Sequence, residues 1–253
     1  MQAFFLKYII FFSVSSANSS FSFCCYIKTG FYVKIELANS LETIKYPSFR
    51  KVNIVPLVSI DSPDNPIAIA LRNYGNITTY QVTLRSKSHN SFEEIRYYYK
   101  SAYIRMEFIK PIPGVILTYN PVKKEVRLRP LRFINQVVTL SPGNEMIQSS
   151  AGHKVDESDI GSLLRVVAGL QSNGETSIRG DESLSGRQTV HVRITGNEEY
   201  TIRGIHQYDL WLDKKTYLPL KIVAYDLCEG VIEEILMDDL EIDIDLSDDF
   251  FHL

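Results

Sequence analysis

Between residues 97 and 131, hydrophobic and polar side chains alternate in short runs broken by turn residues. Ile104, Met106 and Phe108 alternate with Tyr103, Arg105, Glu107 and Ile109, the two-residue period of a strand with unlike faces. Pro111 and the pair Pro113 and Gly114 stop this run, because proline donates nothing to a ladder. Residues 115–119 are apolar on both faces except at Thr118, and Asn120 with Pro121 turns the chain. Residues 125–129 alternate again, with Val126 and Leu128 opposite Glu125, Arg127 and Arg129. The pattern predicts consecutive antiparallel strands with tight connections.

The same reading extends in both directions. Upstream, Asn65 is a cap and Pro66 occupies the first helical position, where its missing N–H is no loss. Ile67, Ala70, Leu71 and Tyr74 then share one helical face, and Gly75 ends the helix. Strands follow over 78–87 and 93–100, joined by a polar turn at residues 88–91. A strand over 135–140 leads to a second helix over 156–171. There Asp156 and Asp159 are spaced as a capping box, and Ile160, Leu163, Leu164, Val167 and Leu170 form an apolar stripe. Strands are expected over 176–180, 188–195, 207–213, 220–226, 231–237 and 240–246. Glu241, Asp243 and Asp245 give the last of these a solvated acidic face, whose parallel carboxylates do not converge on a metal.

The N-terminal part lacks this order. Residues 1–26 read as an export leader: Lys7, an apolar run over 8–14, then the small residues Ser15, Ser16 and Ala17. A lipoprotein reading takes Cys24 as the acylated residue, although Phe21, Ser22 and Phe23 before it lack the small side chain that such processing prefers. Residues 27–61 read as a linker or loosely attached segment with a short strand over 31–37, and residues 62–253 as the organised domain.

Composition narrows the function. Hydrophobic residues make up 45% of 253, which supports a sizeable core. A formal net charge of -3 argues against a nucleic-acid partner, which needs a basic face. Cys24, Cys25 and Cys228 make neither a disulfide framework nor a metal-ligand spacing, and cleavage after Cys25 leaves Cys228 as a lone thiol. His153, Asp156 and Asp159 recur at every third position, but capping accounts for both aspartates. There is no metalloprotease, nucleophile-elbow, phosphate-loop or paired-cysteine motif. No metal, no cofactor and no catalytic residue are expected, and the chain reads as a non-enzyme.

The order of elements, a short amphipathic helix, a long meander, a mid-chain helix and a further meander, resembles the periplasmic lipoprotein-carrier superfamily (LolA/LolB-like). Its members include the soluble carrier of outer-membrane lipoproteins, its membrane-anchored acceptor and a sensor domain of an envelope-stress regulator. Within it, the segment around Tyr97, Tyr98, Tyr99, Arg105, Met106, Glu107 and Phe108, the turn at Asn120 and Pro121, and the stretch from Tyr208 through Leu218, Pro219 and Leu220 look most like the DUF1571 family of uncharacterised bacterial envelope proteins. Ser101 and Ala102 stand where carriers usually have Pro-Gly. The resemblance implies an α+β fold: a strongly curved antiparallel sheet, an incomplete barrel, with helices covering the concave face and an apolar cavity between. It implies that Arg105 latches those helices closed. Ile104, Met106, Phe108, Val115, Leu117, Tyr119, Val126 and Leu128 are the expected cavity wall, equally compatible with a filled core. The function it implies is non-catalytic binding or transport of a lipid or acylated protein by a monomer exported to the periplasm or cell envelope. The alternatives are a filled sensor or interaction domain that docks an envelope protein, and a hydrolase needing a convergence of Ser, His and Asp.

Overall fold

The computed structural model describes residues 22–27, 31–36, 62, 64–89, 91–130, 136–149 and 152–253. The chain divides into two units, Met1–Ile54 and Val55–Leu253. In the first, β1 (Ser22–Ile27) pairs antiparallel with β2 (Phe31–Glu36). The strand expected over 31–37 is therefore present, and its partner lies at the end of the expected leader. The rest of the expected leader and linker lies outside the described residues.

The second unit opens with α1 (Pro66–Tyr74) and a meander of β3 (Thr79–Ser88), β4 (Ser91–Lys100), β5 (Tyr103–Lys110), β6 (Ile116–Asn120), β7 (Glu125–Arg129) and β8 (Val138–Leu140). After α2 (Ile160–Gln171) comes a second meander: β9 (Gly174–Leu184), β10 (Arg187–Gly196), β11 (Gln207–Asp213), β12 (Pro219–Tyr225) and β13 (Val231–Ile242). β13 returns beside β3, so both meanders merge into one curved, open, antiparallel sheet of 11 strands, with β8 and β9 at its edges. This is the α+β half-barrel expected.

Registers align the inward side chains in rows, because the two-residue period keeps one face common to paired strands. One row crosses Tyr80, Tyr99, Ile104, Tyr119 and Val126. The next crosses Val82, Tyr97, Met106, Leu117 and Leu128, and a third crosses Leu84, Ile95 and Phe108. The first row is filled. Tyr80 stacks on Tyr99 with ring centroids 4.9 Å apart, Tyr74 of α1 closes on both rings, and Ile104 and Val126 are buried.

The helices run antiparallel and are tied at both ends. Asn65 caps α1, accepting from Ile67 N at 3.0 Å, and its side-chain amide donates to Gln171 at the end of α2 at 3.1 Å. At the other end Tyr74 reaches Asp159 at the start of α2. α2 departs from expectation at its start. Val155–Glu157 form a separate 3-10 turn, and Asp159, not Asp156, is the cap, accepting from Ser162 N at 3.1 Å. Asp156 is exposed, whereas Asp159 also receives the Tyr74 hydroxyl, and this tertiary partner selects between two similar aspartates. Gly75 ends α1 with φ -59, in ordinary right-handed geometry.

The strands expected over 231–237 and 240–246 are one strand, β13. Its register against β3 shifts between Asp238 and Glu241, with Asp239 at φ 53. The bulge joins the two expected runs into one strand by taking up an extra residue between them. The acidic stretch leaves the sheet after Ile242. Cys228 is exposed in the turn after β12, where its backbone N–H donates to Asp226 Oδ1 at 2.8 Å.

Candidate ligand cavity

Beyond the filled tyrosine row the sheet and α2 part company. The second and third rows supply one wall: Tyr97, Met106, Leu117 and Leu128, then Leu84, Ile95 and Phe108. Ile235 and Met237 of β13 continue it. The opposite wall is Ile160, Leu163 and Val166 of α2 and the segment 152–158 that precedes it, together with Met146 and Ile147. They enclose a cavity of about 790 Å³. No residue of α1 lines it; α1 packs over the tyrosines instead. The expectation of two helices over a hollow is thus half met, because Tyr74, Tyr80 and Tyr99 fill the space beneath the first.

Ile112 and Met146 stand at the rim, 56% and 79% exposed, on the side of the β5–β6 connection. The other side of the mouth is polar. Glu233 of β13, 6% exposed, accepts from Ser86 Oγ at 2.6 Å, and its second oxygen lies 2.8 Å from His153 Nε2. Arg203 pairs with Glu157 at 2.7 Å, and the hydroxyls of Tyr97 and Ser158 are 3.3 Å apart. The hydrogen bond to Glu233 holds the His153 imidazole above its ordinary value, against the opposing effect of burial. Burial raises the Tyr97 and Tyr80 hydroxyls above the tyrosine range, so both stay neutral hydrogen-bonding groups.

The residues expected at the wall separate by row. Met106, Phe108, Val115, Leu117 and Leu128 line the cavity. Ile104, Tyr119 and Val126 belong to the filled row and are buried core. Arg105 points to the opposite face of β5. Its Nε donates to Glu107 at 2.8 Å, its Nη1 donates to the Phe250 carbonyl at 2.8 Å, and its guanidinium lies 4.5 Å from the Phe250 ring centre. It fastens the C-terminal 3-10 turn (Asp248–Phe251) to the sheet, and makes none of these contacts with α1 or α2. Sequence reasoning missed the half of the cavity built by β3, β4, β13 and the segment before α2. The alternation in β3 and β4 was visible, but only pairing with β13 shows that those strands share the wall. His153 and Glu233 lie 80 positions apart, and no local pattern joins them.

A curved open sheet with an apolar hollow beneath one helix defines an α+β half-barrel. Among the described residues no helix is long and apolar enough to cross a membrane, and no group of three or more His, Cys, Asp or Glu side chains is placed to hold a metal. The model of the MucB/RseB N-terminal domain family matches residues 129–252. The structure is similar to an uncharacterized conserved protein from Thermus thermophilus, at 16% identity and TM-score 0.46, over 74% of this chain and 90% of that one. It is similar to the MucA/MucB complex structure of Pseudomonas aeruginosa at 18% identity and TM-score 0.40, over 73% of this chain and 60% of that one. A LolA superfamily protein from Nitrosomonas europaea aligns at 12% identity and TM-score 0.32, over 74% and 96%. No curated protein sequence matches the chain.

Proposed function

We propose that the chain binds the acyl chain of a lipid or of a lipidated protein in the cavity, as an exported envelope protein, without covalent chemistry. The observation that carries this reading is the hollow itself. Its volume of about 790 Å³ falls within the ~300–1,000 Å³ of small-molecule sites, and Met106, Phe108, Leu117, Leu163 and Val166 give it an apolar wall. Each CH₂ transferred into such a wall contributes about 0.8 kcal/mol, so a single acyl chain supplies useful affinity. The narrower resemblance to the DUF1571 family, the role of the N-terminal stretch as leader and the anchoring of Cys24 belong to the same proposal. A neutral fluorescent fatty alcohol tests it. Saturable binding, competed by lipid extracted from envelope membranes, is expected; absence of binding overturns it.

A second reading, a sensor or interaction domain, has support in the match to the MucB/RseB family over residues 129–252 and in the exposed Ile112 and Met146 at the rim. MucB has been solved in complex with MucA. In this reading the rim receives a protein segment and the cavity serves only as its seat. Failure of the fatty alcohol to bind, together with an unchanged fold, favours it.

A further inference from the structure

We propose that the pair His153–Glu233 is a proton-operated latch on the cavity: while His153 carries its second proton it holds the segment before α2 against β13, and loss of that proton frees the segment and opens the way for a guest. The inference rests on the acyl-binding reading and adds its regulation.

Glu233 is on the sheet wall, with a side chain only 7% exposed, and His153 is on the opposite wall. Their 2.8 Å contact therefore spans the mouth from sheet to covering segment. Among the described residues, Val155 anchors the segment in the hydrophobic core, and the polar ties beside His153 are weaker. Tyr97 and Ser158 meet at 3.3 Å, at the long end of hydrogen bonding. Arg203, in the bend between β10 and β11, holds Glu157 at 2.7 Å, with side chains 51% and 37% exposed, where an ion pair contributes little. The buried carboxylate thus makes the strongest of these polar ties, and its strength depends on charge. With the imidazole protonated the contact is an ion pair as well as a hydrogen bond, and loss of the proton leaves only the hydrogen bond to the carboxylate.

The charged groups around His153 give the direction. Glu233 faces it from β13, Glu157 lies in its own segment, and Arg203 opposes them from the β10–β11 bend. Glu93 of β4 and Lys154 also border the cavity. The net effect is a folded value above the ordinary imidazole value. A group raised on folding contributes fully below its unfolded value, and the contribution is lost as pH rises through the folded value. The latch is therefore closed in mild acid and released in mild alkali. Ser86, on the neighbouring strand β3, donates to Glu233 at 2.6 Å, a bond that does not involve the segment.

The test uses the full chain and a pyrene-labelled fatty alcohol, which has no titrating group. Stopped-flow fluorescence measures its rate of uptake between about pH 5 and about pH 8, the interval in which histidine changes charge. The wild-type rate is expected to rise about ten-fold. His153→Gln and Glu233→Gln, each checked for fold by circular dichroism, are expected to take up the probe at the fast rate throughout. Uptake at one rate across the range in the wild type overturns the latch and leaves the cavity reading intact. So does a wild-type profile that survives in either variant. No binding at any pH overturns the cavity reading and the latch with it.

Discussion

The hydroxyl of Tyr74, at the end of α1, donates to Asp159 Oδ1 at 2.7 Å, and the same oxygen caps the first turn of α2. The tie needs an absent side chain: a Cβ at Gly161 would lie 2.2 Å from Tyr74 Cε1. Sequence, helix contact and cavity roof are thereby linked, since the ring that fills the space beneath α1 also fixes where α2 begins. Tyr74→Phe is expected to lower stability by about 1–2 kcal/mol through the lost buried hydrogen bond. Gly161→Ala is expected to cost about 2–3 kcal/mol, although alanine is the better helix former by about 1 kcal/mol. Urea unfolding measures both. The cost of Gly161→Ala should largely vanish in a Tyr74→Ala background; equal costs in the two backgrounds would show that the ring is not what excludes the methyl group.

On the other half of the sheet, Arg193 of β10 donates two hydrogen bonds of 2.7 Å to the Asp209 carboxylate of β11. Burial by itself would raise the Asp209 carboxyl. The bonds from Arg193, with His191 beside them, outweigh burial and bring it down to about 2. A depressed carboxylate contributes stability above its unfolded value and loses it as pH falls through the folded one. Asp209 is therefore expected to contribute about 2 kcal/mol at neutral pH and to lose this between about pH 4 and about pH 2. Asp209→Asn should be less stable at pH 7 and show a shallower acid limb in thermal melts. An unchanged acid limb would place the sensitivity elsewhere.

Much of this architecture is legible in the sequence, and the exceptions share a cause. The alternation of Ile104, Met106 and Phe108 with Arg105 and Glu107 fixes the two faces of β5, and Asn65 with Pro66 fixes the start of α1. What alternation does not carry is depth. Ile104 and Met106 are neighbours on one face and both are buried, yet one pairs with Tyr99 in the filled row and the other lines the hollow. That difference depends on Tyr74, whose place follows from helix packing. Asp156 and Asp159 likewise look equivalent until Tyr74 selects one. Arg105 was readable as a polar residue on an apolar strand; its partner Phe250 is 145 positions away.

The two faces of β5 make a direct test of the cavity. Phe108 lines it, while Glu107 pairs with Arg105 on the other side at 2.7 Å. Phe108→Asp places a charge in the apolar wall and is expected to reduce fatty-alcohol affinity at least about a hundred-fold, since an unpaired buried charge costs several kcal/mol. Glu107→Ala should leave affinity within about two-fold. Fluorescence titration distinguishes them, and equal losses would mean that the ligand does not occupy this hollow.

Arg105 calls for the opposite expectation from a latch on the helices. Its contacts are the Phe250 carbonyl, the Phe250 ring and Glu107. Arg105→Leu is expected to release the C-terminal turn, seen as faster amide exchange at residues 248–253, with probe affinity unchanged. The lost charged hydrogen bond and ring contact should cost about 2 kcal/mol. Altered probe affinity with a protected C-terminus would restore the latch role.

The turn between β4 and β5 explains a departure from the carrier pattern and can be improved. Lys100 pairs with Tyr103 across a two-residue loop in which Ser101 and Ala102 have φ 45 and φ 72. Both central residues are in the positive region of a mirror-image hairpin turn, which suits the twist of the strands and favours Asn-Gly. An L-residue there costs about 1–2 kcal/mol. The Ser101 N–H also donates to the Thr78 carbonyl at 3.0 Å. Proline, usual at this place in carriers, could neither make that bond nor adopt that φ, so the pair Ser-Ala belongs to a different turn. Ser101→Asn with Ala102→Gly keeps the bond and relieves both residues. Glycine's greater freedom in the unfolded chain returns about 0.5–1 kcal/mol of the gain, and a net stabilisation of about 1 kcal/mol is expected. Ser101→Pro should destabilise by about 3 kcal/mol. Neither residue borders the cavity, so probe affinity should stay constant while the urea midpoint moves in opposite directions for the two variants. Stabilisation by proline would show that the turn is of the carrier type after all.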